Sequence, residues 1–346
     1  MKKILLIMAI ATLASCSKTE VTPPIGEDVI ALRSRTLDAS GAFTRAPFEG
    51  TISTENALTV RVLTSLATDF STNHADGTMT FTGTGAVPYD VNPTGNPKFD
   101  NAIDNHYLFG LYPAATNWAH TAGESTAVAT FTGKEDIMAA ARVTTVKDDV
   151  ANATYKTLSF RHLLTKLEVK VSATAIAIDL FGEIKSIKLV GATGGTEVVN
   201  ELTFNASTST NDAMVVTPSA AALTSMDFYL ASANGENKKT YTETPFTGQA
   251  YTLTTTPSLV AYSMVAPVNA TVANTEEYYL EVETEEMGVR KISVDLLKDA
   301  DTKFDGNTAG NSFTIALTFR SLELITVDVE VAEWIENGEY QGEITG

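Results

Sequence analysis

The sequence predicts an all-β protein made of two β-sandwich domains in tandem. From Thr51 onward, short runs rich in Val, Ile, Thr, Tyr and Phe are broken every 8 to 15 residues by clusters of Gly, Pro, Asn or Asp, which is the pattern of short strands joined by turns. Few segments show the helical period of about 3.6 residues, so the strands should form packed antiparallel sheets. The length of 346 residues exceeds what one hydrophobic core supports in most proteins, and two domains are therefore expected.

The N-terminus has the layout of a bacterial lipoprotein signal. Two lysines precede the short apolar run Ile4 to Ala14, which overlaps the lipobox Leu13-Ala14-Ser15-Cys16. This run is shorter than the roughly 20 residues that cross a bilayer as a helix, so residues 1–15 are interpreted as a cleaved signal peptide. Cys16 is then the lipidation site, which would hold the precursor at the outer membrane. The alternative is an ordinary signal peptide with an incidental cysteine.

A tether, a strand and a loop follow this cysteine. Residues 17–28 are polar and contain a Pro-Pro pair, whereas Val29 to Leu37 has the composition of a strand. Residues 38–47 are mostly small around Arg45, and proteases cut such exposed loops most readily. Arg45 is therefore a candidate cleavage site, and residues 16–45 are interpreted as a lipidated propeptide with a cleavable strand.

Two segments alternate most clearly between apolar and polar residues. The first has Leu163, Thr165, Leu167, Val169 and Val171 on one face and Leu164, Lys166, Glu168 and Lys170 on the other. The second has Ile325, Val327, Val329 and Val331 on one face and Thr326, Asp328 and Glu330 on the other. A period of two indicates a strand with one buried face and one solvent face. Further strands are predicted at Leu58–Leu63, Thr78–Thr82, Tyr107–Tyr112, Ile184–Val190, Met226–Leu230, Tyr278–Val282, Val289–Leu296 and Phe313–Phe319.

Residues typical of turns predict one hairpin and one domain boundary. Asp76-Gly77 is a dipeptide typical of a hairpin turn. The stretch Ser172 to Gly182, after the first alternating strand, is the predicted boundary. The predicted domains are thus residues 46–178 and residues 179–346.

The composition argues against several functions. Lys and Arg total 24 against 42 Asp and Glu, and the net charge of −18 repels nucleic acid and anionic membrane surfaces. Without a cysteine after Cys16, the chain has neither a disulfide framework nor a catalytic thiol. It also has no G-x-S-x-G elbow, and metal-ligand spacing is missing at its four histidines, His74, His106, His120 and His162. We therefore expect no enzyme activity, no cofactor and no bound metal.

Six stretches spread over nearly the whole chain carry a resemblance. They are the lipobox at Cys16, the junction Thr44-Arg45-Ala46-Pro47, and residues 106–113 (HYLFGLYP), 136–140 (DIMAA), 160–171 (FRHLLTKLEVKV) and 327–334 (VDVEVAEW). Each stretch alone is a degenerate strand or loop pattern. In this order and spacing, they together resemble the fimbrillin family, the lipoprotein-derived subunits of type V pili.

The resemblance implies transthyretin-like sandwiches and assembly by strand exchange. A trypsin-like protease would cut between Arg45 and Ala46 and release the strand Val29 to Leu37. The loss of an edge strand exposes an apolar groove and unpaired backbone groups, which accept another strand. Because donor and acceptor are different surfaces of one protein, the contact does not close and grows into a filament. The candidate donor strand carries Ile325, Val327, Val329 and Val331.

The leading hypothesis is a structural subunit of a surface fimbria. Its partners would be other copies of itself, other fimbrial subunits and the protease, with the outer membrane holding the lipidated precursor before it enters the fimbria. A tip or accessory adhesin that binds a host protein or glycan is one alternative. A surface glycan-binding lipoprotein, which would keep residues 17–45, is the other.

Overall fold

The structure, a computed structural model, describes most of the chain between Leu32 and Glu333. The described residues are 32–36, 57–71, 75–81, 89–90, 105–114, 117–147, 149, 156–191, 198–210, 213–218, 222–234, 238–267, 278–294, 309–320 and 325–333. They form 24 strands and one helix, α1 (Ala175–Phe181). The predicted all-β class is thereby confirmed, whereas the number of domains stays a prediction.

The first sheet has seven strands. In spatial order they are β3 (Ala75–Phe81), β2 (Leu58–Ser65), β5 (His106–Tyr112), β8 (Met138–Thr145), β9 (Lys156–His162), β1 (Leu32–Thr36) and β4 (Tyr89–Asp90). All neighbours pair antiparallel except β1, which runs parallel to β9. The hairpin predicted at Asp76-Gly77 is wrong, because both residues lie inside β3. There antiparallel pairing with Leu63 and Val62 of β2 keeps this dipeptide in extended backbone, and the Asp76 carboxylate also accepts hydrogen bonds from Arg61.

The second sheet has six strands and brings together residues from both halves of the chain. Its order is β18 (Lys238–Pro245), β17 (Tyr229–Asn234), β20 (Ser258–Val265), β10 (Thr165–Ala173), β23 (Asn311–Phe319) and β24 (Ile325–Glu333). Strand β10 lies before the predicted boundary at residue 178, yet both of its neighbours lie after it. Alternation in sequence identifies a strand with a buried face, but the partners of that strand depend on the whole fold.

Three smaller sheets complete the described part of the chain. A five-stranded sheet contains β16 (Ser225–Asp227), β11 (Glu183–Val190), β21 (Tyr278–Thr284), β22 (Gly288–Val294) and β19 (Tyr251–Thr252). A four-stranded sheet contains β14 (Val216–Pro218), β13 (Glu201–Asn205), β7 (Thr126–Thr130) and β6 (Trp118–His120), and a two-stranded sheet contains β12 (Val198–Val199) and β15 (Ala222–Leu223). The pairing of β7 with β13 also crosses the predicted boundary.

The described residues form a main core and a small core. The main core is continuous from Leu63 to Phe319 and draws on strands from both halves of the chain. The small core lies on the seven-stranded sheet, and each of its ten side chains is 0% exposed. Its members are Leu58, Val60, Val62, Met79, Phe81, Leu108, Met138, Ala140, Leu158 and Phe160.

Helix α1 occupies the stretch predicted as the domain boundary. Thr174 caps its N-terminus by accepting a hydrogen bond from the backbone N–H of Ala177, at 3.4 Å. Gly182 ends it with a φ of +66°, which favours glycine. Phe181 is fully buried and packs edge-on against Phe319, with 5.1 Å between ring centroids. The helix is therefore anchored in the main core.

Candidate functional site

The structure describes two of the sequence features predicted to act in assembly. These are the N-terminal strand β1 and the C-terminal strand β24. The lipidation site Cys16 and the cleavage-site residues Arg45 and Ala46 lie outside the described residues. Strand β1 lies in the seven-stranded sheet and β24 in the six-stranded sheet.

Strand β1 lies one position from the edge of the seven-stranded sheet. Five of its residues pair in parallel with β9, whereas only Arg33 and Ser34 pair with the two-residue strand β4 on its other side. The sequence predicted a strand from Val29 to Leu37, and the described strand covers Leu32–Thr36 within it. Its five register pairs with β9 equal the number between β2 and β5, so β1 is paired along its whole described length on one side and only briefly on the other.

Strand β1 borders the small core through β9. In the register, Ser34 lies opposite Leu158 and Thr36 lies opposite Phe160, and both of these core side chains are 0% exposed. The Phe160 ring lies directly over Gly110, where an added Cβ would stand 2.5 Å from Phe160 Cζ. The position occupied by β1 is therefore next to a closely packed apolar surface.

Strand β24 is at the edge of the six-stranded sheet. It pairs antiparallel with β23 at nine successive positions, from Ile325 opposite Phe319 to Glu333 opposite Asn311. The four candidate donor residues lie in register with four fully buried side chains of β23. The register pairs are Ile325 with Phe319, Val327 with Leu317, Val329 with Ile315, and Val331 with Phe313.

The polar face of β10 differs from the sequence prediction. Lys166 and Glu168 were expected to face solvent, but they are 3% and 0% exposed. Glu168 accepts hydrogen bonds from Lys239 Nζ at 2.8 and 3.0 Å and a further one from the Tyr241 hydroxyl. Lys166 Nζ lies 3.5 Å from the same carboxylate and donates to the Tyr241 oxygen at 3.1 Å. We call these four residues the β10 charge cluster.

Electrostatics keep Glu168 ionised. Burial by itself raises the pKa of a carboxyl, but the positive charges of Lys166 and Lys239 and the hydrogen bonds from Lys239 and Tyr241 outweigh it and lower the pKa of Glu168 to about 2. Sequence reasoning missed Lys239 and Tyr241. The available signal was their spacing of two on β18, which puts both on one face of that strand.

A second buried polar pair joins β9 to the loop before β8. His162 Nδ1 lies 2.9 Å from Asp136 Oδ1, and both residues are buried. Burial, followed by the charge of Asp136, raises the pKa of Tyr112 nearby. His162 is the last residue of β9. The pair links two segments that the resemblance had marked separately.

Metal-binding clusters and membrane-spanning helices were sought among the described residues. No group of three or more His, Cys, Asp or Glu side chains within the described ranges lies close enough to hold a metal ion. Among the same residues, no helix is long and apolar enough to cross a membrane.

Comparison with known proteins gives one family and one group of structures. The fimbrillin-like family profile matches residues 44–334, and no curated protein matches the sequence. A candidate cell adhesion protein from Bacteroides uniformis has 15% identity and a TM-score of 0.53, over 90% of this chain and 99% of that chain. This likeness shows the fold. A more distant structure is the tip fimbrial protein Mfa3 of Porphyromonas gingivalis, with 10% identity and a TM-score of 0.40 over 88% of this chain and 98% of that chain. The fimbrial anchor protein Mfa2 of the same organism has 11% identity and a TM-score of 0.41 over 88% of this chain and 97% of that chain.

Proposed function

Because the chain belongs to the fimbrillin-like family, we propose that it is a structural subunit of a surface fimbria that polymerises by protease-triggered donor-strand exchange and supports adhesion. Its role is structural rather than enzymatic, and its partners include other fimbrial subunits. In this proposal, Cys16 carries the lipid that holds the precursor at the outer membrane, and a trypsin-like protease cuts between Arg45 and Ala46.

The observation that carries the proposal is the position of β1. Eight residues separate Thr36, the last residue of β1, from Arg45. While the chain is intact, this connection keeps β1 at a high effective concentration beside β9. After a cut at Arg45, β1 remains paired with β9 and β4 but is no longer joined to the rest of the sheet through the chain. Cleavage thus converts a tethered strand into one that can dissociate.

Departure of β1 would open a site for another strand. The exposed edge of β9 would present unpaired backbone groups from Lys156 to Phe160 beside the small core. Unpaired edges next to apolar surface favour the addition of a strand. The alternating C-terminal segment, with Ile325, Val327, Val329 and Val331, would supply that strand from the next copy. Repetition of this open contact yields a filament.

The charge of the mature subunit suits a long polymer. Residues 46–346 carry 18 Lys and Arg against 38 Asp and Glu, a net charge of −20. Repulsion between such subunits keeps filaments solvated and opposes their lateral bundling. Removal of residues 16–45 would also remove the lipid, so that the membrane holds only the precursor.

The test is cleavage-dependent assembly with Arg45→Ala. Full-length protein is treated with trypsin at a low ratio and examined by negative-stain microscopy and by N-terminal sequencing. We expect the unmodified chain to begin at Ala46 and to form filaments, and Arg45→Ala to stay monomeric. Arg45→Lys is the matched control, because a trypsin-like protease also cuts after lysine. Filaments from uncleaved Arg45→Ala protein would refute the proposal.

A further inference from the structure

Strand β1 carries two arginines among its five residues. Its sequence is Leu32-Arg33-Ser34-Arg35-Thr36. The chain has eight arginines, and three of them, Arg33, Arg35 and Arg45, lie within residues 33–45. A trypsin-like protease recognises the residue before the cut by binding its cationic side chain in an acidic pocket. A protease that accepts Arg45 therefore finds the same side chain at two positions inside β1.

The sheet covers these two positions while β1 is in place. All five residues of β1 pair in register with β9, and the peptide bonds after Arg33 and Arg35 both lie inside this ladder. On the other side of β1, Arg33 and Ser34 pair with β4. Extended substrates bind through main-chain hydrogen bonds, so a protease needs backbone groups that the ladder already uses. Cleavage within β1 therefore requires β1 to leave the sheet.

Arg45 differs from these two arginines in its place in the chain. It follows the end of β1 by nine positions, in a stretch of mostly small residues (38–47), and proteases cut such segments most readily. A protease of this specificity therefore cuts after Arg45 first. The cut leaves β1 on a separate fragment, which can dissociate from β9. The pairing of β1 thus sets the order of the cuts.

The arginines of the mature subunit in this sheet keep their places when β1 leaves. Arg61, Arg142 and Arg161 lie in β2, β8 and β9. Strand β2 remains between β3 and β5, and β8 remains between β5 and β9. Arg161 lies beyond the ladder that joins β9 to β1, and it pairs with Ala139 of β8. The loss of β1 therefore uncovers its own arginines and leaves these three within the sheet.

An intact β1 fragment would compete with an incoming strand. After the cut at Arg45, residues 16–45 retain all five paired residues, and the lipid proposed at Cys16 would keep this fragment at the membrane. A strand held near its old position rebinds readily because its effective concentration is high. Cuts after Arg33 and Arg35 leave no piece with more than two of the five paired residues. They also put charged chain ends where the ladder had peptide bonds, which opposes rebinding.

We propose that Arg33 and Arg35 are secondary cleavage sites, covered by the sheet until the cut at Arg45 lets β1 leave, and that cleavage there makes the release of β1 irreversible. This inference rests on the proposed function, which supplies the protease. Each cut is a hydrolysis by one water molecule. The water oxygen bonds to the arginine carbonyl carbon and the C–N bond breaks. The arginine is left with a carboxylate, and the nitrogen of Ser34 or Thr36 leaves as an ammonium group.

The first test is the order of the cuts. Full-length protein is treated with trypsin at a low ratio, and mass spectrometry follows the new chain ends at Arg33, Arg35 and Arg45 over time. We expect the end at Arg45 to appear first. In Arg45→Ala protein, the cuts after Arg33 and Arg35 should be slower by about tenfold or more, because they then depend on the rare opening of a tethered strand.

Arg45→Lys is the matched control for this test. A trypsin-like protease also cuts after lysine, so this variant should restore the rates at Arg33 and Arg35 to those of the unmodified chain. Equal rates at these two positions in the Ala and Lys variants would overturn the proposal, since the sites would then be accessible with β1 still tethered.

The second test is whether the cuts prevent rebinding. One double variant, Arg33→Gln with Arg35→Gln, removes both sites, and another, Arg33→Lys with Arg35→Lys, keeps both cleavable. After the cut at Arg45, filament growth followed by light scattering should be slower by about threefold or more in the Gln variant, because intact β1 competes for its old position by mass action. The Lys variant should grow like the unmodified chain. Equal growth of the two double variants would contradict the irreversible step.

The order of the cuts can be measured without filaments, which separates this inference from the proposed function. If cleavage at Arg33 and Arg35 depends on the cut at Arg45 but no filaments form, the covered sites are supported and the proposed function fails alone. If filaments form with active protease present and β1 is recovered intact, with Arg45 as its last residue, the covered sites are refuted alone.

Discussion

The β10 charge cluster predicts that Glu168→Gln strongly destabilises the fold. The change removes one negative charge and leaves Lys166, 3% exposed, buried without its counter-ion. The pKa of Glu168 falls from its ordinary value of 4.5 to about 2, which corresponds to about 3 kcal/mol of stability at neutral pH. Removal of one partner from a buried ion pair costs about 3–5 kcal/mol in other proteins. We therefore expect a loss of about 3 kcal/mol.

The pH dependence has a definite sign. Because the folded-state pKa of Glu168 lies below its unfolded value, its contribution is complete above pH 4.5 and is lost as the pH falls towards 2. The Gln variant lacks this contribution at every pH. The difference in unfolding free energy between the two proteins should therefore be largest near pH 7 and shrink towards zero near pH 2.

Urea unfolding followed by circular dichroism measures both effects. Glu243→Gln is the control, because Glu243 on β18 also forms an ion pair but its side chain is 55% exposed. Its Oε2 atom lies 3.1 Å from Lys134 Nζ. An exposed pair contributes under about 1 kcal/mol. A loss below 1 kcal/mol for Glu168→Gln, or a difference that does not change with pH, would refute the electrostatic account of this cluster.

Three further predictions concern the two cores and the tyrosines. Gly110→Ala should lower the unfolding free energy by about 1–3 kcal/mol, because its Cβ would overlap Phe160. In the double variant, Phe160→Leu should relieve part of this loss. Strictly additive losses in urea unfolding would contradict the overlap. Val329→Lys should lower the unfolding free energy by about 3 kcal/mol or more, since its register partner Ile315 is fully buried. The control Asp328→Lys should lower it by less than about 1 kcal/mol. Equal losses of unfolding free energy would contradict this register. Burial raises the pKa of Tyr112 and Tyr262, so their contribution to stability is present below pH 10 and falls above it. Absorbance at 295 nm should show these two tyrosines unionised at pH 11 in the folded chain, and full ionisation before unfolding would contradict their burial.

Local sequence patterns predicted the strands well. The alternating segment Ile325 to Val331 lies within β24, and Phe313 to Phe319 lies within β23. Both segments have apolar residues with a period of two, which depends only on the residues themselves. Turn dipeptides were less reliable, because pairing of β3 with β2 at seven successive positions outweighs the local preference of Asp76-Gly77 for a turn.

Long-range pairing could not be predicted in the same way. Lys166 and Glu168 looked like solvent-facing residues, because their partners Lys239 and Tyr241 lie more than 70 residues away in the sequence. The sheet partners of β10 could not be derived from the sequence for the same reason, since its neighbours begin at Ser258 and Asn311.

The anchoring of α1 has a mechanical consequence for a filament. Its Ala177 and Phe181 are buried in a core that continues from Leu63 to Phe319, so this connection cannot act as an elbow between two halves. Large hydrophobic contacts of this kind suppress relative motion within a chain. A fimbria built from such subunits would bend at the junctions between copies. Its stiffness would then depend on the inserted strands rather than on the subunit interior.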